Sequence, residues 1–133
     1  MRVPAALALL LALPLLAGCA SSPPPDDAAI TTLDVHAWKQ RLDTTAKAFV
    51  LDVRTPAEYE AGHIAEATNI PHDAIRARAG DLPADKATPM FVYCRTGARS
   101  AAASETLADL GYTHIVNMVG GYPDWAAAGY PTA

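Results

Sequence analysis

The chain has 133 residues, of which 51% are apolar and 18% charged; that suits one packed domain and argues against disorder. A formal net charge of −4 argues against a protein that grips a nucleic-acid backbone. Two cysteines and four histidines, with no C-x-x-C and no H-x-x-x-H, supply neither a disulfide framework nor metal-ligand spacing.

Arg2 precedes an Ala/Leu run from Ala5 to Leu16 that only Pro14 interrupts. A run this short does not span a bilayer, which takes ~20 apolar residues; it reads as the core of a secretory signal. It ends in Leu16-Ala17-Gly18-Cys19, a tetrapeptide that resembles the lipobox of bacterial lipoproteins. The resemblance implies that residues 1–18 are removed and that Cys19 is acylated through its sulfur. The mature chain would then be lipid-anchored in a bacterial cell envelope, facing the periplasm. Several acyl chains on one residue hold firmly where a single chain binds only marginally. The plainer alternative is an ordinary signal peptide with an incidental cysteine. Residues 19–30 include Pro23, Pro24, Pro25, Asp26 and Asp27 and read as an extended, solvated spacer. Residues 31–133 are then the folded domain.

Asp34 predicts a helix N-cap, with a helix from Val35 to Leu42 that presents Val35, Trp38 and Leu42 on one face. Ala48-Phe49-Val50-Leu51 is a short apolar run that predicts a buried strand. Pro56 opens a short helix to Tyr59, which Gly62 stops. Ala67 to Ile70 predicts a short strand, and His72 to Ala79 a helix. Met90 to Tyr93 is a second apolar strand. Ser100 to Leu110 is a helix closed by Gly111, with Ser100 as its cap. His114 to Met118 is a third buried strand, and a last helix runs from Tyr122 to Gly129. Trp38 and Trp125 read as core. Strands alternating with helices predict an α/β fold, a small parallel sheet flanked by helices on both faces. Ligands of such sheets bind at the carboxyl ends of the strands, so Asp52-Val53-Arg54 and the segment from Cys94 matter most.

That segment reads Cys94-Arg95-Thr96-Gly97-Ala98-Arg99-Ser100. It places a thiol between a strand end and a helix N-terminus, where the helix dipole and unpaired N–H groups favour negative charge. Arg95 and Arg99 add positive charge. Each effect lowers a thiol pKa, and the thiolate is the reactive form. Gly97 allows successive N–H groups to converge on one point. The expectation is an anion cradle with an exposed sulfur nucleophile at its floor, against the plainer reading of a buried structural thiol. The plainer readings of Arg99 and Arg95 are a salt bridge to a loop carboxylate and a solvent-facing side chain. Asp52 and Arg54 read as braces for this loop, although Arg54 and Glu58, four apart, would also suit a local pair. His36, His63, His72 and His114 carry no catalytic signal.

At these residues the chain resembles single-domain rhodaneses, a family of sulfurtransferases. The resemblance spans residues 31–131 and rests on four motifs. These are Asp52-Val53-Arg54-Thr55-Pro56-Ala57-Glu58-Tyr59; Gly62-His63-Ile64 with Ala67 and Asn69-Ile70-Pro71; the Cys94 loop; and Gly120-Gly121-Tyr122 with Trp125, Gly129 and Pro131. One departure stands out: where the family often carries a second glycine in G-H-I-x-G-A, this chain has Glu66.

The resemblance implies a two-step transfer. The Cys94 thiolate takes sulfane sulfur from a small anionic donor such as thiosulfate, held by Arg95, Thr96, Gly97, Ala98, Arg99 and Ser100. A thiol or cyanide then takes the sulfur from the persulfide. No metal, organic cofactor or nucleic acid is required, and a monomer suffices. Two other classes remain. A cysteine phosphatase or arsenate reductase would use a C-x5-R loop, one residue longer than the spacing from Cys94 to Arg99. A sulfur carrier or redox sensor would use the same thiol without turnover. With Cys19 acylated, no second thiol is left to form an intramolecular disulfide.

Overall fold

The computed structural model describes residues 28–133. The signal-like run, Cys19 and the triple proline lie outside the described residues. The strands are β1 (Ile30–Leu33), β2 (Phe49–Asp52), β3 (Thr68–Asn69), β4 (Met90–Tyr93) and β5 (Ile115–Met118). They form one sheet in the order β1-β5-β4-β2-β3, and every pairing is parallel. The helices are α1 (Val35–Asp43), α2 (Pro56–Ala61), α3 (Ala98–Asp109) and α4 (Gly121–Ala127).

Alternation along the strands divides the core in two. Leu51, Met90, Val92 and Ile115 face Ala103 and Leu107 of α3. Val50, Phe91, Tyr93, Val116 and Met118 face Val35 and Trp38 of α1 and Trp125 of α4. Helices therefore cover both faces, as the α/β reading requires. Asp34 caps α1 by accepting from the Ala37 N–H at 2.9 Å, and Trp38 Nε1 donates to Val116 O at 3.0 Å. Thr55 and Glu58 form a reciprocal capping box at the start of α2, with Pro56 in its first turn.

Three expectations need correction. Ile30, placed in the spacer, begins β1, whose partner is β5. Residues 72–78 are a series of turns followed by a 3-10 helix at Ala79–Asp81, not the helix expected from His72 to Ala79. Ile75 is the one fully buried side chain of that stretch, so no apolar stripe stabilises a longer helix. The α3 helix starts at Ala98, with Gly97 at its N-cap, so Ser100 lies inside the first turn and does not cap it.

Topology places the site. From β2 the chain moves to β3 on one side; from β4 it moves to β5 on the other. The two connections diverge, and the crevice between them lies at the carboxyl ends of β2 and β4. Asp52 ends the first and Tyr93 ends the second.

Candidate active site

Cys94 follows β4 directly, and its side chain belongs to the α3 side of the sheet. The loop then turns back onto the sulfur. Gly97, at φ +100°, takes a backbone conformation that glycine adopts at little cost, and its N–H donates to Cys94 Sγ at 3.0 Å. The protonated thiol donates to Ser100 Oγ at 3.4 Å while that hydroxyl donates to Gly97 O at 3.1 Å; on ionisation the Ser100 O–H turns from Gly97 O onto the sulfur. Burial opposes ionisation of Cys94. The Ser100 hydroxyl and the N–H groups of Ser100, Gly97 and Thr96 outweigh it and hold the thiol below its ordinary pKa. The lowered pKa thus comes from aimed dipoles rather than from a base, as in an oxyanion hole.

Cys94 is 0% exposed, so the expectation of an exposed thiol is corrected. The loop amides that favour the thiolate also wall it off. Arg95, Thr96 and Ala98 stand outward in solvent, whereas Ser100 is buried. From behind, Tyr122 N–H holds Cys94 O at 2.8 Å. Gly121 (φ +76°) lies against the same peptide, where a Cβ would overlap the Arg95 carbonyl. The start of α4 is thus fitted to the loop, which accounts for Gly121; at Gly120 a Cβ would instead overlap the Asp124 carboxylate.

The arginines divide into distinct roles. Arg99 Nη1 and Nη2 meet Glu58 Oε1 and Oε2 at 2.8 and 2.9 Å, a two-point pair joining α3 to α2. The Arg99 guanidinium and the Thr55 cap hold the Glu58 carboxyl down at about 2. The loop-carboxylate reading of Arg99 therefore describes its contacts. Glu58 is not paired with Arg54, contrary to the local pairing considered from the sequence. Arg54 is 4% exposed and grips Asp52, with Nη2 at 2.7 Å from Oδ2 and Nε at 3.0 Å from Oδ1. It also donates to Gly62 O at 2.7 Å and lies 4.3 Å above the Tyr122 ring. Arg95 has no ion pair among the described residues.

Asp52 is wholly buried yet satisfied. Besides Arg54 it accepts from the Tyr93 hydroxyl at 2.6 Å, and that oxygen accepts from Ile64 N–H at 3.0 Å. Sequence spacing pointed to Asp52 and Arg54 as braces but gave no sign of Tyr93, which lies 41 residues from Asp52. His63 stacks on Tyr59 at 3.7 Å and packs the loop after α2. Among the described residues no cluster of His, Cys, Asp or Glu could hold a metal ion.

A rhodanese-like domain model matches residues 34–128. A sulfurtransferase of Allochromatium vinosum is 36% identical over 102 residues, covering 77% of this chain and 94% of that one. The thiosulfate sulfurtransferase PspE of Escherichia coli is 40% identical over 76 residues, covering 57% and 72%. The crystal structure of a rhodanese-related protein from Thermoplasma volcanium superposes with a TM-score of 0.66 at 34% identity, covering 77% of this chain and 96% of that one. The chain belongs to the rhodanese-like family.

Proposed function

We propose that this rhodanese-like protein is a sulfurtransferase that carries sulfane sulfur on Cys94. The observation that carries the reading is the convergence of loop amides on a buried thiol, with Gly97 N–H at 3.0 Å from Sγ. Relatives named sulfurtransferase support it. In the first step the Cys94 thiolate attacks the terminal sulfur of a thiosulfate-type donor; the donor S–S bond breaks and sulfite leaves with the electron pair. In the second, a thiolate or cyanide attacks the outer sulfur, and Cys94 departs as thiolate. The loop amides stabilise the anion at both stages. Arg95, unpaired at the loop, attracts the anionic donor, while Thr96, Gly97, Ala98 and Ser100 shape the cradle.

Intact mass before and after thiosulfate tests the reading. The expected result is a gain of about 32 Da, one sulfur atom, reversed by cyanide and absent in Cys94→Ala. No gain in folded protein carrying a free thiol would overturn it, and hydrolysis of an aryl phosphate would favour a phosphatase instead.

The same proposal places the protein on a bacterial cell envelope through an acylated Cys19. Membrane fractionation of the wild type against Cys19→Ala tests this; an unchanged membrane fraction in the variant would refute it.

A further inference from the structure

Asn117 sits in β5 with Ile115, Val116 and Met118, a strand buried at every position, and it is the polar exception there. Val116 and Met118 pack toward α1 and α4, whereas Ile115 packs toward α3. Alternation therefore turns Asn117 to the α3 face, the face that also holds the Cys94 side chain. Asn117 is the register partner of Val92 in β4, two residues before Cys94. Strand spacing and rise set the Cα atoms of Asn117 and Cys94 about 8 Å apart on that face. The sulfur loop also folds back over the end of β5, where a Cβ built on Gly97 would lie 3.7 Å from Met118 O.

Asn117 is 5% exposed. Its Oδ1 is the only buried side-chain oxygen or nitrogen among the described residues that has no hydrogen-bond partner. The buried hydroxyls of α3 do not answer it: Ser100 Oγ donates to Gly97 O, and Ser104 Oγ donates to Ser100 O. An unpaired buried carbonyl costs stability, and an apolar side chain would suit this position as it suits the other three of the strand. Packing therefore gives no reason for a carboxamide here.

Charge on the sulfur gives one. A half-turn about the last side-chain bond exchanges the C=O end of a carboxamide for its N–H2 end and leaves the rest of the side chain in place. Beside the neutral thiol, which donates to Ser100, neither orientation gains. Beside a thiolate or a persulfide anion, the orientation with N–H2 toward the sulfur gains charge–dipole energy, which is large where water is shut out.

We infer that Asn117 is a further residue of the sulfur site, a buried carboxamide that turns its N–H2 end toward Cys94 when the sulfur carries negative charge. The inference rests on the sulfur-transfer reading and deepens it: the loop amides hold the anion from one side, and Asn117 steadies it from the sheet. Asn117 is a positioning residue, and no bond forms or breaks at it.

The test compares the full chain with Asn117→Leu, which keeps the approximate shape and removes the dipole, and with Asn117→Thr, which keeps a turnable O–H. Three quantities are read: the melting temperature, the pH profile of Cys94 alkylation by iodoacetamide, and the single-turnover rate of sulfur loading from thiosulfate. Asn117→Leu should melt no lower than the wild type. Its alkylation profile should nevertheless move to higher pH by roughly 0.7, and loading at neutral pH should slow roughly fivefold. Asn117→Thr should move the profile in the same direction by about half as much. An unmoved profile in either folded variant would overturn the inference, whatever the melting temperature does, because a purely structural role changes stability and leaves the thiol as it was. Alkylation does not depend on sulfur transfer. A wild type that fails to load sulfur would therefore overturn the sulfur-transfer reading, while the alkylation profiles would still decide whether Asn117 acts on the thiolate.

Discussion

The Tyr93 hydroxyl donates to Asp52 Oδ2 at 2.6 Å, joining residues that are register partners at the ends of β2 and β4. That bond lies where the two strands hand the chain to the site. Burial, together with the Asp52 charge, pushes the Tyr93 phenol well above its ordinary range, so it stays a donor at any working pH. Tyr93→Phe deletes this donor and leaves Ile64 N–H without its acceptor. The expected loss is about 2 kcal/mol in urea unfolding. Arg54→Met, which strands a buried carboxylate, should cost more, about 3–5 kcal/mol. The opposite order would show that the hydroxyl, not the guanidinium, holds Asp52.

The Glu58–Arg99 pair sets a pH window. The folded carboxyl sits at about 2 against an ordinary 4.5, so its folded pKa is depressed. The pair therefore contributes stability above pH 4.5, and the contribution is lost as pH falls toward 2. Both side chains are 27% exposed, so solvent screening limits the coupling to about 1 kcal/mol. A double-mutant cycle with Glu58→Gln and Arg99→Ala measures it, and Glu58→Gln should flatten the acid limb. Because Arg99 is committed to Glu58, Arg99→Ala should raise the KM for thiosulfate less than Arg95→Ala does. Equal effects would place both arginines on the donor.

Ser100 tunes the nucleophile. Its hydroxyl is the strongest influence lowering the Cys94 pKa, ahead of the loop amides, and it works against burial. Ser100→Ala should move the pH profile of iodoacetamide alkylation to higher pH and slow sulfur loading at neutral pH roughly tenfold, the effect of one hydrogen bond of about 1.4 kcal/mol. An unmoved profile would show that the amides alone set the thiol.

Glu66 stands at φ +69°, a left-handed conformation that costs a side chain about 1–2 kcal/mol. Glycine removes that strain but is freer in the unfolded chain by about 0.5–1 kcal/mol. Glu66→Gly should therefore stabilise the domain by roughly 0.5 kcal/mol, a Tm rise of about 2–4 °C. A lower Tm would mean that the Glu66 side chain itself holds the turn.

The elements that were legible in the sequence are those whose signal is local. The runs Met90–Tyr93 and Ile115–Met118 are buried at every position, so their apolar composition alone marks them. The Asp34 cap and the Cys94 loop likewise announce themselves within a few residues. What was illegible depends on distant partners. The β1 strand carries Thr31 and Thr32 at a sheet edge, and none of its residues is fully buried; only β5, more than 80 residues on, makes it a strand. Arg99 meets Glu58 from 41 positions away, and nothing local says which carboxylate it takes. The segment at 72–79 failed the other way: its composition suits a helix, but Ile75 alone has somewhere to pack.

The strand order also fixes when the domain can finish folding. The first strand has only β5 as a neighbour, and the loop at His63 closes on the last residues, with Ala133 N–H on His63 O at 2.8 Å and Ala65 N–H on Pro131 O at 3.2 Å. On a ribosome the middle strands can pair as they emerge, but β1 waits with an open edge until residues 115–118 are out. A chain stalled or cut before then presents that edge to any passing strand. Residues 131–133 thus lie against the loop whose Gly62 carbonyl anchors Arg54, so the buried Asp52–Arg54 pair is also completed only once they are out.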